Sequence, residues 1–447
     1  MRLVGYNDLQ ARSAYQPTIH RQGDRYIAYI GHHGGTNAVP KPVNPMNGQP
    51  EFNGTSIIDV TNPARPEYLF HIPGQEGTYE QGGAQMVRVC AGKTLPGGKA
   101  DANAVYLLRS FGGHAHEIWN VTDPAAPQLV TRLSEDVKDT HKSWWECDTG
   151  IAYLVSGVDG WRTRRMIEVY DLSDPNKPVK IRDFGLNGQQ PGATGTVPTE
   201  LHGMISLGPQ ANRIYFGYGT NKGGVVQIVD REKLLKGPKE PTPDNLRYPV
   251  VGQLDLLPIT GAHTTFPMLN MPVAEFAKDK DGKLRDFVMV VAEQILNECQ
   301  EARQMVYFMD VTIETHPMIV SNFFVPEATG HFCDRGGRFG AHSSNESMAP
   351  VFYKKVAFIT FFNAGVRAVD VRNPYRPREI GYFIPAITKA TDQRCIKIDG
   401  KDRCKTAIQS NNVETDERGY IYVVDRANTG LHILELTGAA RKITGQR

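Results

Sequence analysis

The chain has 447 residues, and 50 Lys plus Arg nearly balance 48 Asp plus Glu for a net charge of +2, so no strong field favours nucleic acid or an anionic membrane. No apolar run approaches a bilayer span, and 44 Gly with 29 Pro point to a turn-rich fold without long helices. The start, MRLVGYNDLQ, has no signal-peptide core, so a cytoplasmic protein is expected, an exported form with its presequence removed being left open.

In chain order, short alternating runs rich in β-branched and aromatic residues (YIAYI, AVYLL, IAYLV, RIYFGY, FVMVV, KVAFITF, YIYVV) are broken by Gly, Pro, Asn and Asp, which predicts strands throughout. A signature recurs between them: an apolar strand, then Asp or Asn, an apolar residue, a polar residue and Asx-Pro-x-x-Pro. It stands at Ile57 to Pro66 (IIDVTNPARP), Ile118 to Pro127 (IWNVTDPAAP), Val169 to Pro178 (VYDLSDPNKP) and Ala368 to Pro377 (AVDVRNPYRP). Weaker copies surround Asp230, Asp310 and Glu435. The seven anchors Asp59, Asn120, Asp171, Asp230, Asp310, Asp370 and Glu435 are 61, 51, 59, 80, 60 and 65 residues apart, room for four short strands each. Such a period predicts an all-β, seven-bladed β-propeller occupying 1–447 as one domain. The Asx-Pro-x-x-Pro element suits the turn between a blade's third and fourth strands, because Pro fixes φ and the Asx side chain bonds the following backbone. RLVGYND near the start resembles the fourth strands REIGYF and PVVGQL, so residues near Arg2 to Asn7 are expected to complete the last blade and close the ring.

The IIDV, VDV and IVD signatures resemble those of the LVIVD-repeat proteins, a family of predicted seven-bladed propellers, over most of the chain. That resemblance implies the fold and no particular reaction.

Among the cysteines, an Asp399-Gly400 turn places Cys395 opposite Cys404, where either a disulfide or two free thiols fits. Cys90 and Cys147 read as core residues; the state of Cys299 and Cys333 is undecided. Asp279-Lys280-Asp281-Gly282 lacks the features of a calcium loop and reads as a hairpin turn.

Four histidines, His141, His202, His263 and His342, stand just ahead of the first strands of four consecutive units, 61, 61 and 79 residues apart. In a propeller those positions converge on the axis. Convergent imidazoles suit Fe, Cu, Zn, Ni or Mn and leave positions open for substrate or oxygen, the alternative being a hydrogen-bonded belt without metal. Metal-bound histidine donates its other N–H to a supporting group, and Asp139, Glu200, Glu293, Glu346 and Glu414 are the candidates. His114 and His116 in GGHAHE are expected to handle protons, and His32, His33, Arg335, Arg338 and Asn412 to bind substrate, with Arg165 and Arg426 as further carboxylate-binding candidates. Insertions at Thr36 to Asn53, Gly185 to Thr199, Pro326 to Gly340 and Ala386 to Lys405 are expected to roof the channel. Trp144, Trp145 and Phe266 either wall a pocket or pack in the core.

The arrangement of four axial histidines resembles that of the carotenoid-cleavage oxygenases, propellers that hold iron with four histidines and split alkene bonds with oxygen. The arrangement implies one divalent ion, Fe(II) ahead of Mn, Zn or Cu, and an oxygenase acting on a small, aromatic or carboxylated substrate. Two alternatives stand beside it: a Mn- or Zn-dependent lyase or hydrolase, and a non-catalytic binding scaffold. A small-molecule partner is expected, without nucleic acid or membrane, and a homo-oligomer is left open.

Overall fold

The computed structural model describes residues 1–279 and 284–445. All of the Asp279-Lys280-Asp281-Gly282 turn after its first residue lies outside them. Seven antiparallel sheets are arranged in chain order as the blades of a propeller. Blade one runs outward through Ala14–Gln22, Arg25–His33, Thr55–Asp59 and Glu67–Ile72. In each blade the anchor residue lies in the third strand, and the Asx-Pro-x-x-Pro segments of blades one, two, three and six turn the chain into the fourth.

Alternation explains how the blades cohere. Successive residues of a strand point to opposite faces, so a middle strand apolar at every position buries side chains against both neighbouring blades. Tyr153 and Val155 pack toward blade four, whereas Ala152 and Leu154 pack toward blade two. The result is seven hydrophobic clusters, each filling the wedge between adjacent blades. The ring closes as the N-terminal sequence predicts: Arg2–Asn7 pairs antiparallel with Leu431–Glu435, becoming the outer strand of blade seven. Blade six departs from the pattern, with three strands and a single bridge, Ser344 to Ile359, in place of a full inner strand.

All six cysteines are paired, as Cys90–Cys147, Cys299–Cys333 and Cys395–Cys404. Cys90 lies in the core and Cys147 packs against it, as expected, and the structure adds the bond between them. Cys90 lies near the end of the inner strand of blade two and Cys147 just after that of blade three, and neighbouring inner strands run side by side. The third joins the hairpin Gln393–Ile398 and Lys401–Thr406, whose Asp399-Gly400 turn has φ values of 49° and 77°.

Candidate metal centre

The four histidines share one backbone position. The N–H of His141, His263 and His342 bonds the carbonyl of Val155, Val291 and Thr360, each at or next to the end of its blade's second strand. His202 occupies the corresponding place in Leu201–Ser206, where the ladder slips by one residue between Leu201 and Gly203. Their rings therefore meet on the axis. Successive ring centroids are 4.5, 3.7 and 4.6 Å apart from His141 through His202 and His263 to His342, and all four are buried.

Hydrogen bonding sets the tautomers. Nδ1 of His202 lies 3.1 Å from the His263 carbonyl, and Nδ1 of His342 lies 2.6 Å from the Asn411 carbonyl. Nδ1 of His141 meets the Gln85 side-chain oxygen at 3.0 Å, the Gln85 amide nitrogen being committed to the Glu80 carbonyl. These acceptors place the proton on Nδ1 and leave the Nε2 lone pair facing the axis. His263 has its Nδ1 on the Thr264 hydroxyl, 2.8 Å away. Burial first, then neighbouring cations for three of them and the His202 ring for His263, holds all four imidazoles well below their ordinary pKa, hence neutral at pH 7.

Among the described residues, the Nε2 of His141 is the one inward nitrogen with a hydroxyl partner, that of Tyr15 at 3.1 Å. Nε2 of His141 and Nε2 of His202 are 2.9 Å apart, two lone-pair-bearing atoms facing each other. Nε2 of His263 and of His342 have no hydrogen-bond partner among the described residues. Glu293 reaches this inner side, its oxygens 3.9 Å from His263 Nε2 and 3.6 Å from His342 Nε2. Ligand atoms of His202, His263 and Glu293 lie within 4.8 Å of one another. Burial pushes the Glu293 carboxyl up, against the pull of Arg338 and Arg426.

Two contributors escaped the sequence reading, although their positions carried the signal. Gln85 stands just ahead of the inner strand of blade two, Val87–Ala91, and Tyr15 near the head of that of blade one. They fill the histidine position in blades one and two, two of the three blades that lack one. The Tyr15 hydroxyl, kept protonated by burial, reaches His141 Nε2 at 3.1 Å.

The remaining candidates are scattered. Asp139 and Glu200 face Arg164 rather than a histidine. Glu346 pairs with Lys142 and Arg88, and Lys142 in turn donates to the Thr264 hydroxyl beside His263. Glu414 accepts the Ser347 N–H, and burial raises its carboxyl to about 7. His114 is exposed in a turn, while His116, in the third strand of blade two, bonds Ser156 of blade three. The His-x-His pair therefore does not present two rings together, because its first member precedes the strand. His32 is tied to the Ser13 carbonyl and the Ser56 hydroxyl inside blade one. Arg335 bonds the Gly330 carbonyl, and Asn412 bonds Gln16 and Ser343. Trp145 and Phe266 pack in the core, with Trp144 against it.

His33, Arg338 and Arg426 gather at a cleft of about 240 Å³, also lined by Tyr79, Glu80, Ile295, Asp392 and Arg394. His33 links it to the centre: its ring packs edge-on against Tyr15 and its Nε2 lies 2.7 Å from the Arg426 guanidinium. Arg338 lies 2.9 Å from Glu293, and burial, with Arg426 alongside, pulls its guanidinium down to about 10.

No protein-family model matches the sequence, and no curated protein matches it. Its likeness is to solved propellers. The chain is similar to Raptor from Chaetomium thermophilum at 11% identity and a TM-score of 0.54, covering 98% of this chain and 29% of that one. Sqt1 from the same organism, bound to the N-terminus of the ribosomal protein L10, matches at 11% identity and 0.51, covering 97% and 99%. The β-propeller domain of Cps50 (Swd1) from Myceliophteria thermophila matches at 8% and 0.52, covering 95% and 97%. The seven-bladed β-propeller fold is what these likenesses establish. No helix among the described residues is long and apolar enough to cross a membrane.

Proposed function

We propose that His141, His202, His263 and His342 hold one divalent metal ion on the propeller axis, and that the protein is a metal-dependent enzyme acting on a small molecule. One observation carries this reading: two Nε2 atoms stand 2.9 Å apart while their Nδ1 atoms face acceptors. Without a cation, two such lone pairs repel. Two ligands about 2.1 Å from one metal and at right angles to each other are about 3 Å apart, so the spacing suits neighbouring ligands of a single ion. Glu293 supplies a carboxylate, and neutral imidazoles with one carboxylate favour Fe(II), which makes an oxygenase the first reaction class to test. Mn or Zn in the same place directs the reading to a lyase or hydrolase.

Elemental analysis of the purified protein beside its His202→Ala variant tests the proposal. The expected result is about one metal ion per chain, lost in the variant. Iron is then followed by oxygen-uptake screens. Absence of stoichiometric metal from both proteins, after reconstitution with Fe(II), Mn(II) and Zn(II), overturns it.

A second reading, a protein-binding scaffold, is favoured by the structural relatives, since Sqt1 is seen bound to a ribosomal protein's N-terminus. It predicts that His202→Ala leaves the protein's binding function intact. Three disulfides, rare in a reducing cytosol, support an oxidising compartment under either reading, in place of the cytoplasmic expectation.

A further inference from the structure

Charge at the mouth of the axial channel is unevenly matched. Three guanidiniums, Arg338, Arg394 and Arg426, line the cleft, with Glu80 and Asp392 as its acidic members. Arg394 is satisfied locally, by Asp392 at 2.8 Å and the Arg426 carbonyl at 3.1 Å. Glu80 is divided between Arg426 at 3.5 Å and Arg165 at 3.9 Å. Arg338 leans on Glu293 at 2.9 Å, and Arg426, already shared with Glu80, reaches the same carboxylate at 3.7 Å. The same carboxylate lies 3.6 and 3.9 Å from the inward nitrogens of His342 and His263. The two carboxylates Glu80 and Glu293 cannot neutralise Arg165, Arg338, Arg426 and a divalent ion together.

We propose that the cleft takes the carboxylate of a small organic anion, gripped by Arg338 and Arg426, and that Glu293 couples this binding to the metal. The proposal rests on the metal site above and names the class of ligand that site serves. A metal ion among the histidines draws on Glu293 and leaves the two guanidiniums short of an anion; a carboxylate in the cleft restores the balance. Arginine suits the task because its planar fork meets both oxygens of a carboxylate. Both guanidiniums lie near the Phe362 ring, at 5.3 and 5.9 Å from its centroid, which gives them an apolar backing. A cleft of about 240 Å³ limits the ligand to a short body, with Tyr79 and Ile295 as its apolar wall. The coupling is reciprocal, so metal and carboxylate tighten each other's binding by the same factor.

The probe is benzoate, with benzamide as its neutral isostere and inorganic phosphate as the competing anion, followed by calorimetry. In metal-free protein, Glu293→Gln removes the internal carboxylate and keeps its shape. The expected result is benzoate binding that tightens about tenfold in Glu293→Gln and weakens about tenfold in both Arg338→Lys and Arg426→Gln, with benzamide inert. Arg338→Lys keeps the charge and Arg426→Gln removes it, so one misfolded variant leaves the other as the test. Benzoate binding insensitive to both arginine substitutions, benzamide binding equally well, or no benzoate binding to Glu293→Gln overturns the proposal. Phosphate binding where benzoate does not bind also overturns it and assigns the cleft to a phosphoryl anion. Elemental analysis tests the metal separately, since the Glu293→Gln titration needs none.

Discussion

Of the 13 histidines, ten are driven below their ordinary pKa, with burial the leading cause in each. His20, His71, His116 and His432 are held at about 4, and the axial four, with His32 and His33, are held well below 6.5. An unfolded chain protonates these rings as pH falls through about 6.5, and the native chain refuses the protons. Stability from these groups is therefore fully present above that pH and lost as pH falls toward 4. Each ring that stays neutral contributes on the order of 1 kcal/mol between pH 7 and pH 5, against a total of about 5–15 kcal/mol for a typical domain. Metal-free protein should show a urea midpoint falling steeply over that interval, with uptake of several protons on unfolding. A flat midpoint would mean that the rings ionise in the folded state. At this scale, the sequence revealed where the axial histidines stand, because a repeated position is a one-dimensional property. Which atom faces which is not. The supporting acceptors are largely carbonyls and an amide, and a carbonyl has no residue-type signature. Glu293 stands two residues past the strand Leu284–Val291, where no strand alternation fixes its direction, and it lies on the Nε2 side.

Every blade carries a register shift where its third strand meets its fourth. A bulge there increases local twist and bends the outer strand. The glycine shared by the outer strands RLVGYN, VVGQLD and REIGYF has a related cause in two of them. A Cβ on Gly5 would stand 1.9 Å from the Pro63 carbonyl, and one on Gly252 1.8 Å from the Glu314 carbonyl. Each is pressed by the third-to-fourth turn of the next blade. Gly381 of the third is not: its nearest neighbour would be Met1, 3.6 Å away. Gly252→Ala should therefore destabilise by about 1–3 kcal/mol through overpacking against backbone, whereas Gly381→Ala should fall within about 0.5 kcal/mol of the parent. Equal unfolding midpoints for the two variants would refute the close approach. The Asx-Pro-x-x-Pro turns were legible because they need particular residues. The bulges were not, since any residue can form one, and neither was the Cys90–Cys147 pairing, whose partners are 57 positions apart in sequence.

Closure is a property of the whole ring. The strand Arg2–Asn7 covers the outer edge of Leu431–Glu435, and Arg2 pairs with Glu435 there. Without it, blade seven would present unpaired backbone groups beside Leu434 and Ile433, a template for pairing with another chain. The effect reaches the axis, because the histidines come from blades three to six whereas Tyr15, which touches His141 and packs near His342, comes from blade one. Blades one and seven meet in a wedge that includes Ala28, Ile58, Tyr422 and Ile433, so loosening blade seven loosens the wall that carries Tyr15. Deleting residues 1–7 should lower the thermal midpoint by several degrees and produce concentration-dependent association in light scattering. A synthetic peptide spanning residues 1–8, added in trans, should reverse both changes, because the open edge offers it the same register as the native strand. A truncated protein that stays monodisperse with the parent's midpoint would show that three strands suffice for the last blade. A truncated protein that associates and is not rescued by the peptide would place the loss in covalent closure of the ring rather than in the edge itself.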